Sequence, residues 1–201
     1  MPKLYSVVLA AVAAACLSTA AVTATAAMDP SQPVRAVTTE IRQISSTRAG
    51  PDREEALRQV LRDNFDLAYM ARAVLGAHWN EASEQQRARF VAALETSEAK
   101  AYAERLAMLG KFAVTVDRVT PRADGAWTVD SSVGQSGPSA GDIPVKLAWE
   151  VRDSGHGPRI VDVRVAGVSL FATRQSEFNS YIRKSNGSIE PLVEAMEARA
   201  R

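Results

Sequence analysis

Only one cysteine, Cys16, occurs in the 201 residues, and it lies in an amino-terminal stretch patterned like a cleavable leader. Removal of that stretch leaves no thiol, which excludes disulfides, thiolate catalysis and cysteine-based metal sites. Histidine is nearly as scarce. His156 stands between Gly155 and Gly157, where a solvated turn accounts for it, and His78 precedes Trp79 at a helix end, where capping or packing does. Neither charge sign is in excess: 24 basic and 23 acidic side chains give a formal charge of +1, and loss of Lys3 with the leader leaves 23 of each. Such a balance offers no electrostatic footprint for nucleic acid, which requires a basic patch to displace condensed counterions. Past residue 26 no apolar run approaches the roughly 20 residues of a membrane span. Phosphate-cradling glycine loops, zinc-type His-Glu pairs and calcium loops are missing, so neither a metal site nor a cofactor is expected.

What is present begins with an address. Lys3, an apolar run from Leu4 to Leu17 and a small-residue stretch closing at Ala24-Thr25-Ala26 are the three parts of a secretory signal peptide, placed at 1–26 with cleavage near Ala26. Two alternatives stand beside it. A membrane anchor needs about 20 apolar residues, and this run fades into Ser18, Thr19, Thr23 and Thr25. Lipoprotein processing at Cys16 would follow Ala13-Ala14-Ala15, which lacks the usual large aliphatic residue. The remaining residues, 27–201, suffice for one domain with a sizeable core.

Helices are expected first. Val37, Ile41 and Ile44 recur at helical spacing; Asp52 can cap a helix bearing Ala56, Leu57, Val60 and Leu61; Phe65, Tyr69, Ala73 and Leu75 mark a third that ends near Gly76. Ser83 and Gln86 fit a capping box opening a long helix that can reach Leu109, with Phe90, Leu94, Tyr102 and Leu106 on its apolar stripe. The period then changes to two. Phe112, Val114 and Val116, then Trp127, Val129 and Val133, then Ile143, Val145, Leu147, Trp149 and Val151, then Val161, Val163 and Val165 give four strands with one apolar face each. Arg122-Ala123-Asp124-Gly125 and Asp153 to Pro158 read as hairpin turns, and Gly134 to Gly141 as a flexible loop. Ala166-Gly167 ends the last strand. A helix carrying Phe171, Phe178, Tyr181 and Ile182 follows, and after Ser185-Asn186-Gly187 a shorter one carries Leu192, Val193 and Met196. The fold expected is α+β: an antiparallel four-stranded meander covered on one face by helices.

Catalytic groups do not converge. Gly167-Val168-Ser169 is half of a nucleophile elbow, but Phe171 replaces its second glycine. A secreted hydrolase using Ser169 and His156 therefore lacks both the elbow and an orienting acid at readable spacing. No catalytic residue is assigned. A structural interaction module with a filled core is the other rival.

Two blocks carry a resemblance. Ala166-Gly167-Val168-Ser169-Leu170, Arg174-Gln175-Ser176-Glu177-Phe178 and Tyr181-Ile182, then Gly187 and Leu192, resemble the close of the MlaC, or toluene-tolerance, family of periplasmic lipid-binding proteins. Leu75-Gly76-Ala77-His78-Trp79, Ser83 to Arg87, Phe90 and Tyr102 are similar to its other motif, so the match runs from about Val34 to Glu197. The resemblance implies an apolar cavity between helices and sheet that takes acyl chains.

It further implies a periplasmic shuttle carrying phospholipid between an outer-membrane lipoprotein–porin complex and an inner-membrane MCE-domain ABC transporter, preserving outer-membrane lipid asymmetry. The physical need is clear: a diacyl lipid has on the order of 30 methylenes at about 0.8 kcal/mol each, so unaccompanied passage through water costs more than ~20 kcal/mol. One wall of the cavity is expected from Val114, Val116, Val129, Val145, Leu147, Trp149, Val161, Val163 and Val165, and the other from Phe90, Leu94, Tyr102 and Leu106, because the two periods bring these sets face to face. Lipid is cargo here, no nucleic acid is bound, and a monomer is expected. Thr96-Ser97-Glu98 stands where relatives more often carry leucine or aromatic residues, and a branch of the family accompanies hopanoid biosynthesis. A hopanoid carrier is thus the alternative to a phospholipid carrier.

Overall fold

Proline, glycine and hydroxyl side chains set most element boundaries. The computed structural model describes residues 28–108, 112–135 and 144–200; the expected signal segment 1–26, the expected helix end at Leu109, the expected loop beyond position 135 and Ile143 lie outside the described residues. Pro33 sits in the first turn of α1 (Gln32–Thr47), where a missing N–H costs nothing. Gly50, at φ +53°, and Pro51 open α2 (Gly50–Asn64), so that helix starts two residues ahead of Asp52, which serves as a first-turn acid rather than the cap. Asp66 caps α3 (Leu67–Leu75) by accepting from the Tyr69 amide at 2.9 Å. Residues His78–Glu81 make a short helix, α4. The Ser83–Gln86 capping box is present in both directions, at 3.0 and 3.2 Å, and launches α5 (Glu84–Met108).

The strands are β1 (Phe112–Pro121), β2 (Trp127–Gln135), β3 (Val145–Asp153), β4 (Pro158–Val165) and β5 (Val168–Ser169), paired antiparallel in sequence order. The sheet thus has five strands, not four. Ala166 and Gly167, at φ +49° and +85°, form a two-residue turn with both φ positive, which reverses the chain onto β4 instead of ending the sheet. Gly134, expected to open a loop, instead pairs with Ala113 inside β2. Two bulges matter. At Asp117 the bulge turns Arg118 outward opposite Asp130, and at Val161 it lets Ile160 pair with Val151 while Val163 still pairs with Trp149. Ile160 and Val161 are both buried, so the simple Val161-Val163-Val165 alternation holds only for its last two members.

The last helices, α6 (Leu170–Lys184) and α7 (Glu190–Ala200), return to the helical side. Packing divides into two apolar clusters. The first joins the inner sheet face (Val129, Trp149, Val151, Ile160) to α1, α2 and the later half of α5. The second contains helix and linker residues only, from α3, the early half of α5, α6 and α7, with Ala82 and Ile189. No helix among the described residues is long and apolar enough to cross a membrane.

Candidate functional site

A cleft of about 140 Å³ lies where the two clusters meet. Leu61 and Phe65 reach it from the end of α2, Leu67, Met70 and Val74 from α3, Leu94 and Tyr102 from α5, Val163 from β4, and Leu170 and Phe171 from the start of α6. Local bonds hold these elements in place. The Asp66 amide donates to the Ile160 carbonyl at 3.0 Å, pinning the α2–α3 junction to β4. Asp162, nearly buried, accepts from the Ser169 hydroxyl at 2.8 Å and the Phe171 amide at 3.1 Å, tying the first turn of α6 to the same strand. Gln175 donates to the Ala73 carbonyl at 3.0 Å and fastens α6 to α3.

Charged side chains line the cleft as well: Glu98, Arg105, Asp162, Arg174 and Glu177. Arg174 donates to Glu98 at 2.6 Å and to Glu177 at 2.8 Å, bridging α5 and α6. Burial works against the Arg174 charge, yet the bonds to Glu98 and Glu177 outweigh it and hold the guanidinium above its ordinary pKa. The Arg105 guanidinium lies 5.5 Å from the Tyr102 ring centroid. Burial, and after it the negative charge of Glu98, push the Tyr102 phenol up to about 12, so it keeps its proton at any physiological pH.

Of the thirteen residues expected to line a cavity, the structure brings Leu94, Tyr102 and Val163 to this cleft. Phe90 is fully buried in the second cluster, edge-to-face with Phe178 at 5.7 Å. Leu106, Val129 and Trp149 belong to the first cluster, with Val116 and Leu147 packed against it. The Trp149 indole donates to the buried Ser131 hydroxyl at 2.9 Å. Val161 is buried at the bulge; Val165 is half-buried opposite Leu147; Val114, with Val116, flanks a shallow groove against α1; Val145 is 46% exposed.

Sequence reasoning missed the α2–α3 contribution. Leu67, Met70 and Val74 recur at helical spacing, a signal that was readable, but Phe65, Tyr69, Ala73 and Leu75 compete with it in the same window. Tyr69 is in fact 40% exposed, with the Arg152 guanidinium 5.6 Å from its ring. Ser169 is occupied as the cap of α6, accepting from the Ala172 amide at 2.9 Å. His156 belongs to the turn at the far end of β4, about 26 Å of strand away at 3.3 Å per residue, so the two do not meet as nucleophile and base.

No curated protein matches the sequence. Among solved structures, the chain is similar to a phospholipid-binding protein from Ralstonia solanacearum determined in complex with a phospholipid, with a TM-score of 0.69 at 21% identity, covering 86% of this chain and 97% of that one. That likeness establishes the α+β fold. The model of the MlaC protein family matches residues 31–198, and with the α5 and α6 motifs in place around one apolar cleft, the chain belongs to the MlaC family.

Proposed function

We propose that this protein is a periplasmic lipid carrier that buries the acyl chains of a phospholipid in the cleft between α3, α5, α6 and β4. The observation that carries the reading is the cleft itself: a largely apolar lining drawn from five elements, with ionised groups among it, in a fold shared with a protein described as phospholipid-binding. Such a lining is an amphiphile's complement, since tails gain by leaving water while a charged head loses unless it stays hydrated or paired. No step of this task breaks a bond. Binding alone serves it, and the family supports a binding protein rather than an enzyme.

Size adds a requirement. A cavity near 150 Å³ accommodates a benzene-sized body, whereas two acyl chains bring on the order of 30 methylenes. Loading therefore widens the cleft, and the boundary between two separately packed clusters is the place where widening breaks the fewest buried contacts. The Glu98–Arg174 pair crosses that boundary and parts as it opens.

The carrier is exported by the segment 1–26 and exchanges cargo with membrane-embedded assemblies: an outer-membrane lipoprotein–porin complex and an inner-membrane ABC transporter bearing an MCE-domain ring. Its near-neutral charge gives no reason for direct adhesion to anionic bilayers. Native mass spectrometry of protein recovered from a periplasmic extract, with extraction and identification of what it carries, tests the proposal. The expected result is a mature chain starting near position 27 with one bound phospholipid. A chain that carries no lipid and takes none from mixed micelles would sink it; a co-purifying hopanoid would move the cargo, not the mechanism.

A further inference from the structure

The two halves of the edge strand β1 are built differently. From Asp117 onward the edge is defended: a bulge follows Val116, Asp117 is held by Ser132 and Lys146, Arg118 pairs with Asp130 at 3.0 Å, and Pro121 ends the strand. Bulges, charges and prolines are what keep a free strand edge from pairing with another chain. The first half has none of them. Phe112-Ala113-Val114-Thr115-Val116 is uncharged and rich in strand-favouring side chains, and among the described residues none outside β2 bonds to its backbone. Its inward side chains Phe112, Val114 and Val116 are only half-buried, because α1 stands off from them across a groove of about 300 Å³. Arg35, Thr38, Thr39 and Arg42 form the opposite wall, so among the described residues every charge lining the groove is positive. Glu40 of the same helix lies towards Asp63 and Asn64 instead.

We infer that this half-strand and the α1 wall form a docking site for an extended, acidic segment of a partner protein, which adds to β1 as a further strand. The groove shares no lining residue with the cleft, so the inference does not rest on the carrier reading. The free main-chain N–H and C=O groups of β1 supply the bonds of such an addition, and alternate side chains of the incoming segment enter the groove. Those side chains recur every ~7 Å, while Arg35 and Arg42 stand two turns apart on α1, about 10 Å at 1.5 Å per residue. Separate guanidiniums therefore meet separate carboxylates, through charge-assisted hydrogen bonds stronger than those between neutral groups. A second copy of this chain fits poorly, because pairing two β1 edges about a two-fold axis sets Arg35 and Arg42 near their own counterparts. A helix fits no better, since its main-chain groups are already bonded within it.

The test is fluorescence polarisation of a labelled hexapeptide, three glutamate–valine repeats with blocked termini, titrated with the mature chain. The glutamate peptide should bind, and a lysine–valine peptide of the same pattern should bind about tenfold more weakly or worse, the scale of one charge-assisted hydrogen bond. Arg35→Glu combined with Arg42→Glu, both at exposed positions and so expected to leave the melting temperature unchanged, should reverse that preference, and raised salt should shrink it in wild type. Two N-methylated glutamate peptides separate strand addition from plain charge attraction, one methylated on every glutamate nitrogen and the other on every valine nitrogen. Alternate N–H groups of a strand face opposite edges, so one of the two should lose binding while the other keeps it. Failure of the glutamate peptide to bind, equal affinity of the glutamate and lysine peptides, or equal affinity of the two methylated ones overturns the site. Dimerisation of the protein alone in sedimentation velocity, reversed by the glutamate peptide, also overturns it by assigning the edge to a second copy.

Discussion

The two apolar clusters differ in what they are made of. The first is sheet against helix: Val129, Trp149, Val151 and Ile160 meet Val34, Val37, Leu57 and Val60. The second has no strand in it; Phe90, Leu94, Phe178, Ile182, Leu192 and Val193 pack helix on helix. Helix α5 supplies both, with Phe90, Ala93 and Leu94 to one and Ala99, Ala103 and Leu106 to the other, and the change falls at Thr96-Ser97-Glu98. There Thr96 and Ser97 turn their hydroxyls back to the Ala92 and Leu94 carbonyls, and Glu98 reaches Arg174. The difference shows why a cleft exists. Two cores that each close on themselves share a boundary that neither fills, and polar residues on the one helix common to both keep that boundary from collapsing into a single core.

The largest effect should come from the heart of the helical cluster. Phe90 is fully buried and touches Phe178, so Phe90→Ala is expected to cost about 3–5 kcal/mol in urea denaturation. A loss below about 1 kcal/mol would mean that the second cluster is not a packed core at all. An intermediate effect separates core from cleft. Val129→Trp, at a fully buried position in the first cluster, should cost about 1–3 kcal/mol, because the interior has no room for the ring. Val163→Trp, two strands away on the other side of Trp149 and lining the cleft, should leave stability nearly unchanged and abolish lipid retention. Equal destabilisation by the two, with lipid still bound to the second, would erase the distinction between filled core and cleft.

The smallest effects are electrostatic and of opposite sign at the two clusters. Burial on α1, and after it the charge of Asp63, raise the Glu40 carboxyl above its ordinary value, although a hydrogen bond from Asn64 opposes this. A carboxyl with a raised folded pKa penalises folding at neutral pH, and the penalty disappears as pH falls through that pKa towards the unfolded value of 4.5. Glu40→Gln should therefore stabilise by about 0.5 kcal/mol or less at pH 7, with no gain below pH 4.5. Beside the second cluster, hydrogen bonds from Gln86 and Arg89 hold the Glu190 carboxyl below its ordinary value. Its contribution is present above pH 4.5 and lost as pH falls through the folded pKa, so Glu190→Gln should lower the melting temperature at pH 7 and have less effect in acid. A Glu190→Gln variant with an unchanged melting temperature at both pH values would remove the contrast.

The amino-acid sequence by itself determined the longer elements and their order, though not the short β5 and α4. Period-two and period-3.6 apolar patterns, the Ser83–Gln86 capping box, the Arg122–Gly125 turn and the glycine after α6 are local features, and each acts within a few residues of itself. The family was legible for the same reason, because its motifs are short and ordered. The full lining of the cleft was not. A 25-residue helix is about 37 Å long at 1.5 Å per residue, whereas a nine-residue strand reaches about 30 Å and five strands span about 19 Å across. Helix α5 therefore outruns the sheet in either direction, and Phe90 packs on α6 instead of opposite a strand. Periodicity tells which residues share a face but carries no information on which partner covers that face. Only the tertiary structure decided that α3 lines the cleft, that the Val161 bulge puts Ile160 in the core, and that Glu98, far from Arg174 in sequence, meets it across the boundary. These are contacts between distant segments, set by how whole elements dock, and no local pattern encodes them.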